Sequence, residues 1–289
     1  METLLIATDF LSVSHNAAAY GVKLAAHLGA DVVLFNAYQS IISPNDTVVV
    51  IPDEEVRAAS ESRLQHELNS LTIPEGVKVE TLAEQGWTTN AILSAAKKVN
   101  AKWIIAGIKQ SGVTGRKFFG STDTELSRHT SCPLILIPDG AKFTEIKNIA
   151  LASDREDETM MRLLDPLHEF GQKFGSRMFV VRVIKKEMDE VMEILMRPSL
   201  IESHFKDLKP VYEFEVDNNV AHAMNKFVKE HNVDMIVMVK QDHPFLERLF
   251  TKSNTKEMIF EANIPLIILP GKLDTAYPVD EESALSKKQ

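Results

Sequence analysis

Two short segments gather residue types suited to holding a phosphorylated ligand. The first is Ala7-Thr8-Asp9-Phe10, where an apolar run ends on a hydroxyl and a carboxylate. The second runs from Gly107 to Thr122. It carries four glycines (Gly107, Gly112, Gly115, Gly120) and three cations (Lys109, Arg116, Lys117) and ends on Gly120-Ser121-Thr122. Glycines let a backbone come close to a ligand, and the N-terminus of a following helix offers unpaired N–H groups to an anion. The hydroxyls of Ser121 and Thr122 add donors for phosphate oxygens. The pattern fits a phosphate-binding loop, and it also fits a glycine-rich connection with Ser121 as a helix N-cap.

Other reactive side chains do not form a recognisable constellation. The nine histidines show no HExxH spacing, and His204, His222, His231 and His243 fall in four different elements, where they read as surface or capping residues. Cys132 is the sole cysteine, which excludes an internal disulfide and a cysteine-based metal cluster. Its place before Pro133 at a strand start suits a buried, inert thiol, and no base is positioned to activate it. Met188, Met192 and Met196 recur every four residues, as one helix stripe directed at the core or at an adaptable partner-binding surface. The acidic run Asp154–Glu158 lies near a helix start, where the dipole favours carboxylates, and carries no function of its own.

The elements that must position these loops alternate in kind. Short β-branched runs at Leu4–Thr8, Val32–Asn36, Val77–Leu82, Trp103–Ala106 and Leu134–Ile137 read as strands. Segments of helical period lie between them at Ser14–Leu28, Asp53–Leu71, Thr88–Val99 and Ser121–Thr130, with Ser14 as N-cap and Gly29 as C-terminal glycine of the first. The order recurs in strands at Ile149–Ala152, Arg177–Ile184, Val211–Val216, Met235–Val239 and Leu266–Leu269. Continuous apolar strands alternating with helices imply an α/β fold: two tandem doubly wound domains, each a five-stranded parallel sheet covered on both faces. In such a sheet ligands bind beyond the carboxyl ends of the strands where the strand order switches, the place both candidate loops occupy.

The two halves are a diverged repeat. At an offset of 132, Trp103-Ile-Ile-Ala-Gly107 falls on Met235-Ile-Val-Met-Val239, and Arg116, Phe118, Ser121 and Glu125 fall on Arg248, Phe250, Ser253 and Glu257. Pro133-Leu-Ile-Leu-Ile-Pro138 matches Pro265-Leu-Ile-Ile-Leu-Pro270. Upstream the offset becomes 145, so that Asp9 matches Asp154, and the 13 additional residues of the first half fit a polar loop around Ser40–Pro52. These matches divide the chain into a first domain at 1–140, a linker at Asp139–Glu145, a second domain at 146–271 and a flexible tail at 272–289.

Composition bounds the rest. The chain has 289 residues, 44% hydrophobic and 25% charged, with a formal net charge of −9, so it has ample material for a core and is not a disordered chain. No basic stripe supports broad nucleic-acid binding. The opening METLLIATDF has no charged leader followed by a long apolar run, and no segment has the apolar length to cross a bilayer, so we expect a cytoplasmic protein without membrane association.

On these residues the chain resembles a universal stress protein with two tandem domains, over nearly its full length. ATP-binding members of that family end their first strand on an aspartate that contacts the base, and carry a loop G-x2-G-x9-G-[ST] that holds ribose and phosphates. The resemblance assigns these roles to Asp9, within Ala7-Thr8-Asp9, and to Gly107, Gly120 and Ser121, with Thr122 adjacent. Ala7, Ala37 and Ala106 match the small residues that line the adenine pocket. At the second glycine of the motif this chain has Gln110. In the second half the corresponding residues are Val239, Asp242, Lys252 and Ser253, so all three glycines are lost, and Asp242 and Glu247 oppose an anion.

The resemblance implies a stress-response or signalling module that binds ATP, with or without Mg, in the first domain only. It also implies that the two halves pair through their last strands as a dimer made within one polypeptide; a protein partner and a further homodimer are open. Two other readings stand beside it. One is a nucleotide-free protein-interaction module, favoured by Gln110 and the degenerate second loop. The other is an enzyme of the related adenine nucleotide α-hydrolases, which carry a Ser-Gly-Gly loop after the first strand. Here that place reads Thr8-Asp9-Phe10-Leu11-Ser12, without glycine.

Overall fold

The computed structural model describes residues 1–39, 52–109, 121–153, 158–184, 200–217, 220–240 and 264–271. In the first half, strands β1 (Glu2–Ala7), β2 (Ala30–Tyr38), β3 (Val79–Gln85), β4 (Trp103–Ile108) and β5 (Leu134–Pro138) alternate with α1 (Ser12–Leu28), α2 (Asp53–Ser70), α3 (Thr88–Lys98) and α4 (Ser121–His129). In the second half, β6 (Asn148–Ala152), β7 (Arg177–Ile184), β8 (Val211–Val216), β9 (Met235–Val239) and β10 (Leu266–Leu269) alternate with α5 (Glu158–Leu163), α6 (Asp165–Phe174), α7 (Leu200–His204) and α8 (Val220–His231). The polar loop at 40–51, the methionine stripe, most of the acidic run and the segment 272–289 lie outside the described residues.

All ten strands form one sheet in the order β3-β2-β1-β4-β5-β10-β9-β6-β7-β8. Within each half the pairings are parallel, and the switch in order falls between β1 and β4 and between β6 and β9. The halves meet where β5 and β10 run antiparallel, with Ile135 opposite Ile267 and Leu136 opposite Leu266. The offset of 132 that relates the halves maps Ile135 onto Ile267, so the pseudo-twofold axis passes through this pair. The last strands therefore join within one chain.

Alternation along the strands divides the core into two layers that cross this seam. Leu4 and Ile6 join residues of α1, α2, α5 and α6 on one face, while Leu5 joins residues of α3, α4 and α8 on the other. On the first face α6 also packs against α1 and β4: the His27 ring of α1 stacks on Phe174 at 4.0 Å, and Phe170 lies 5.4 Å from Trp103 of β4. At the rim of this contact Lys102 bridges Glu2, at 2.6 Å, and Glu169, while Lys173 reaches Glu2 at 3.1 Å and the Leu28 carbonyl at 2.8 Å.

Local chemistry sets the ends of the elements. Gly29 terminates α1 in the left-handed region at φ 67°, as expected, and Gly175 does the same for α6 at φ 61°. Asn100 and Asn232, equivalent by the repeat, both adopt φ 49° in the turns leading to β4 and β9. The start of α1 differs from expectation. Its N-cap residue is Leu11 and Ser14 lies inside the first turn, because the Asp9 carboxylate caps the helix from outside by accepting from the Leu11 N–H at 3.0 Å. Where the first half has one continuous helix, the second has α5 and α6 with a break at Leu164 followed by Pro166, whose ring cannot continue the hydrogen-bond ladder from the preceding turn. No helix among the described residues is long and apolar enough to cross a membrane.

Candidate nucleotide site

The carboxyl ends of β2, β1 and β4 bring Ala37, Ala7-Thr8-Asp9 and Ala106-Gly107 together at the switch point of the first half. Ala7, Ala37 and Ala106 belong to one apolar layer on the α3 side of the sheet, Ala106 buried and the other two partly so. Ile6 pairs with Ile105, which sets Ala7 and Ala106 side by side. By register Phe35 lies beside Ala7 and Ala37 stands two residues farther along β2 on the same face, so the three methyl groups make a stepped apolar floor.

Thr8 and Asp9 are held by a compact polar network. The Thr8 N–H continues the ladder to the Phe35 carbonyl at 2.8 Å, and the Thr8 hydroxyl donates to Ser14 Oγ at 3.2 Å and accepts from the Phe10 N–H at 3.0 Å. Ser14 Oγ donates to Asp9 Oδ1 at 2.6 Å and accepts from the Asp9 N–H at 3.3 Å. The N–H groups of residues 9, 10 and 11 are thus all taken by side-chain oxygens of the same turn. Phe10 sits at φ 66°, unusual for a bulky residue, with the Arg63 guanidinium 4.2 Å from its ring centre. Asp9 is exposed, and both of its contacts use Oδ1, so Oδ2 faces outward without a partner among the described residues.

Behind this turn lies a second polar layer. Asn36 is buried in β2; its amide donates to the Thr8 carbonyl at 2.7 Å, and its Oδ1 accepts from Ser60 of α2 at 2.7 Å. Neither Asn36 nor Ser60 was among the expected site residues. The available signal was an amide ending the apolar run Val32-Val-Leu-Phe-Asn36, a residue type that is rarely buried without a specific partner.

Gly107 has a packing requirement of its own. A Cβ built there would lie 2.6 Å from the Val13 carbonyl oxygen and 2.9 Å from its carbon, so α1 approaches β4 only over a glycine. Thr122 lies in the first turn of α4, which opens at Ser121. Gln110 and Gly120, with Gly112, Gly115, Arg116 and Lys117 between them, lie outside the described residues.

In the second half the same place is built differently. The Ser153 N–H donates to the Val181 carbonyl at 3.2 Å, as Thr8 does to Phe35, but its hydroxyl meets the Met160 sulfur at 3.8 Å where Thr8 meets Ser14. Val239 stands where Gly107 does, by strand register Arg182 stands where Asn36 does, and Asp154, Asp242, Lys252 and Ser253 lie outside the described residues. Cys132 is buried, its Sγ 3.1 Å from the Ala101 carbonyl. Among the described residues no three His, Cys, Asp or Glu side chains converge in a group suited to a metal ion.

The profile of the Universal stress protein family matches residues 1–138 and, separately, residues 145–270. The chain belongs to the universal stress protein family. Solved structures agree with this universal stress protein in fold. One from Archaeoglobus fulgidus DSM 4304, described as a universal stress protein, superposes with a TM-score of 0.69 at 14% identity over 93% of this chain and 98% of its own. A protein of unknown function from Pseudomonas aeruginosa PAO1 superposes with a TM-score of 0.58 at 13% identity, over 93% and 92%. At such identities the likeness concerns the fold alone. Comparison with curated proteins gives no match.

Proposed function

We propose that this universal stress protein is a stress-response or signalling module that holds an adenine nucleotide, ATP with or without Mg, in its first domain only. Residues 1–140 form the nucleotide-holding domain, 146–271 the degenerate copy and 272–289 a tail. The observation that carries the reading is the switch-point arrangement: an outward carboxylate oxygen, Asp9 Oδ2, beside a floor of Ala7, Ala37 and Ala106 on three adjacent strands. An apolar floor suits a planar base, and a carboxylate oxygen accepts from an exocyclic amino group such as that of adenine. Ribose and phosphates fall to the loop from Gly107 through Gln110 to Gly120, Ser121 and Thr122, an assignment that rests on the family's motif.

The same geometry argues against adenylyl transfer or ATP hydrolysis as the function. The N–H groups that follow β1 already donate to Ser14 Oγ, Thr8 Oγ1 and Asp9 Oδ1, so they do not face a phosphate. A second reading, a nucleotide-free interaction module, is favoured by one observation: the contact with Val13 explains Gly107 with or without a ligand.

Mass analysis of nucleotide released from freshly purified protein, followed by calorimetric titration with Mg-ATP, tests the proposal. One ATP per chain is the expected result. No binding at millimolar ATP overturns it in favour of the interaction module, and two ATP per chain overturns the restriction to the first domain.

A further inference from the structure

Trp87 is 75% exposed, whereas the other tryptophan, Trp103, is 2% exposed in the core. An indole left in water forgoes the burial of about 150–250 Å² that an aromatic side chain can contribute. Its position is closely defined. Glu84 of β3 lies opposite Ala37 of β2, Gln85 lies opposite Tyr38, and the Gly86 N–H donates to the Tyr38 carbonyl at 2.9 Å. The chain then turns at Gly86, φ 154°, and Trp87 becomes the N-cap of α3. Lys98 of α3 pairs with Glu84 at 2.6 Å and fixes the helix to the strand. The inner face of α3, Ala91, Ile92, Ala95 and Ala96, belongs to the same apolar layer as Ala7, Ala37 and Ala106. Trp87 therefore stands at the carboxyl edge of the sheet, on the alanine face, one strand away from Ala37.

The alanine floor can cover only one face of a planar ligand. An aromatic ring at the β3 edge of that floor, two strands from Ala7, offers a cover for the other, and base–aromatic stacking needs no matching hydrogen bonds. We infer that Trp87 stacks on the purine base held over Ala7, Ala37 and Ala106. The inference deepens the nucleotide reading and rests on it. It also assigns the exposed tryptophan a role in affinity rather than in folding.

Calorimetry and tryptophan emission of the full chain during titration with ATP and with tripolyphosphate test this. ATP should bind wild-type protein and change the emission of its exposed tryptophan; in Trp87→Phe that change should vanish, leaving the signal of buried Trp103. Trp87→Ala should weaken ATP binding about 5- to 150-fold, the range of stacking energies, while Trp87→Phe stays within about 3-fold of wild type. Tripolyphosphate, which has no base, should bind wild type and Trp87→Ala alike. Equal ATP affinity of wild type and Trp87→Ala overturns the stacking role and leaves the nucleotide reading standing. Phe as weak as Ala also overturns it, because the aromatic ring is then not the source of the effect. Absence of ATP binding in wild type overturns the nucleotide reading and this inference with it.

Discussion

The Cβ atom that Gly107 lacks would sit 2.6 Å from the carbonyl oxygen of Val13, closer than real side chains come to a backbone atom. The clash is with backbone near the N-terminus of α1, which cannot swing aside as a side-chain tip would. Gly107→Ala is therefore expected to lower stability by about 1–3 kcal/mol, the usual cost of overpacking. Urea unfolding monitored by circular dichroism checks this, and an unchanged midpoint would mean that α1 gives way without cost.

Asn36 joins the site to α2. Removing its amide in Asn36→Ala leaves the Thr8 carbonyl and the Ser60 hydroxyl without their buried partner. A loss of about 1–3 kcal/mol follows from the cost of unsatisfied buried groups, read from the same urea midpoint. Ser60→Ala should cost less, since Asn36 keeps its bond to Thr8.

Substitution can separate the cap that Asp9 gives α1 from its proposed contact with the base. Asp9→Ala removes both the cap of α1 and the outward Oδ2, so it should cost about 1 kcal/mol of stability and abolish ATP binding. Ser14→Ala removes one contact to Oδ1 and leaves Oδ2 in place. It should weaken ATP binding less than Asp9→Ala does, as measured by calorimetry; equal losses would show that the orientation of Asp9 depends on Ser14.

What the sequence reveals here follows from how local each determinant is. The strands are legible because runs such as Met235–Val239 and Leu266–Leu269 are buried on both faces and so carry no polar alternation, and their observed bounds coincide with the expected ones. The repeat is legible because Pro133–Pro138 and Pro265–Pro270 share one sequence pattern, and Ile135 and Ile267 within them serve the same role twice. The cap of α1 is not legible in the sequence because the residue that does the work, Asp9, lies outside the helix, in a turn whose left-handed Phe10 has no sequence signature. Asn36, Ser60 and the contact between Gly107 and Val13 depend on neighbours far along the chain, and no local pattern encodes them.

The charged rim between the halves predicts a pH dependence. Burial pushes the Glu2 carboxyl up, but Lys102 and Lys173 outweigh it and hold it below its ordinary value. Burial pushes Lys102 down, and Glu169 and Glu2 more than restore it, so it ends above its ordinary value. A lowered carboxyl stabilises the fold above its unfolded pKa and loses that contribution as pH falls through the folded value; a raised ammonium loses its own as pH rises through its folded value. The network should contribute in full between roughly pH 4.5 and pH 10. Lys102→Met is expected to lower the melting temperature at pH 7, with the gap from wild type narrowing below pH 4. A gap that stays constant down to pH 3 would assign the loss to packing of the lysine stem instead.

The seam between β5 and β10 is almost wholly apolar, so residues 1–140 expressed alone would present β5 as an unpaired buried strand. Such a fragment should self-associate, with Ile135 of each copy at the new axis. Sedimentation of the fragment checks this, and a soluble monomer at micromolar concentration would show that β5 can tolerate water.

A dimer of identical chains must repeat every substitution on both sides of its axis. Here the axis through Ile135 and Ile267 relates two stretches of one polypeptide, so a change on one side leaves the other untouched. That independence is visible in Gly107 against Val239, in Asn36 against Arg182, and in the unbroken α1 against the interrupted α5 and α6. Joining both sides of a near-symmetric assembly in one polypeptide lets each side inherit its changes separately.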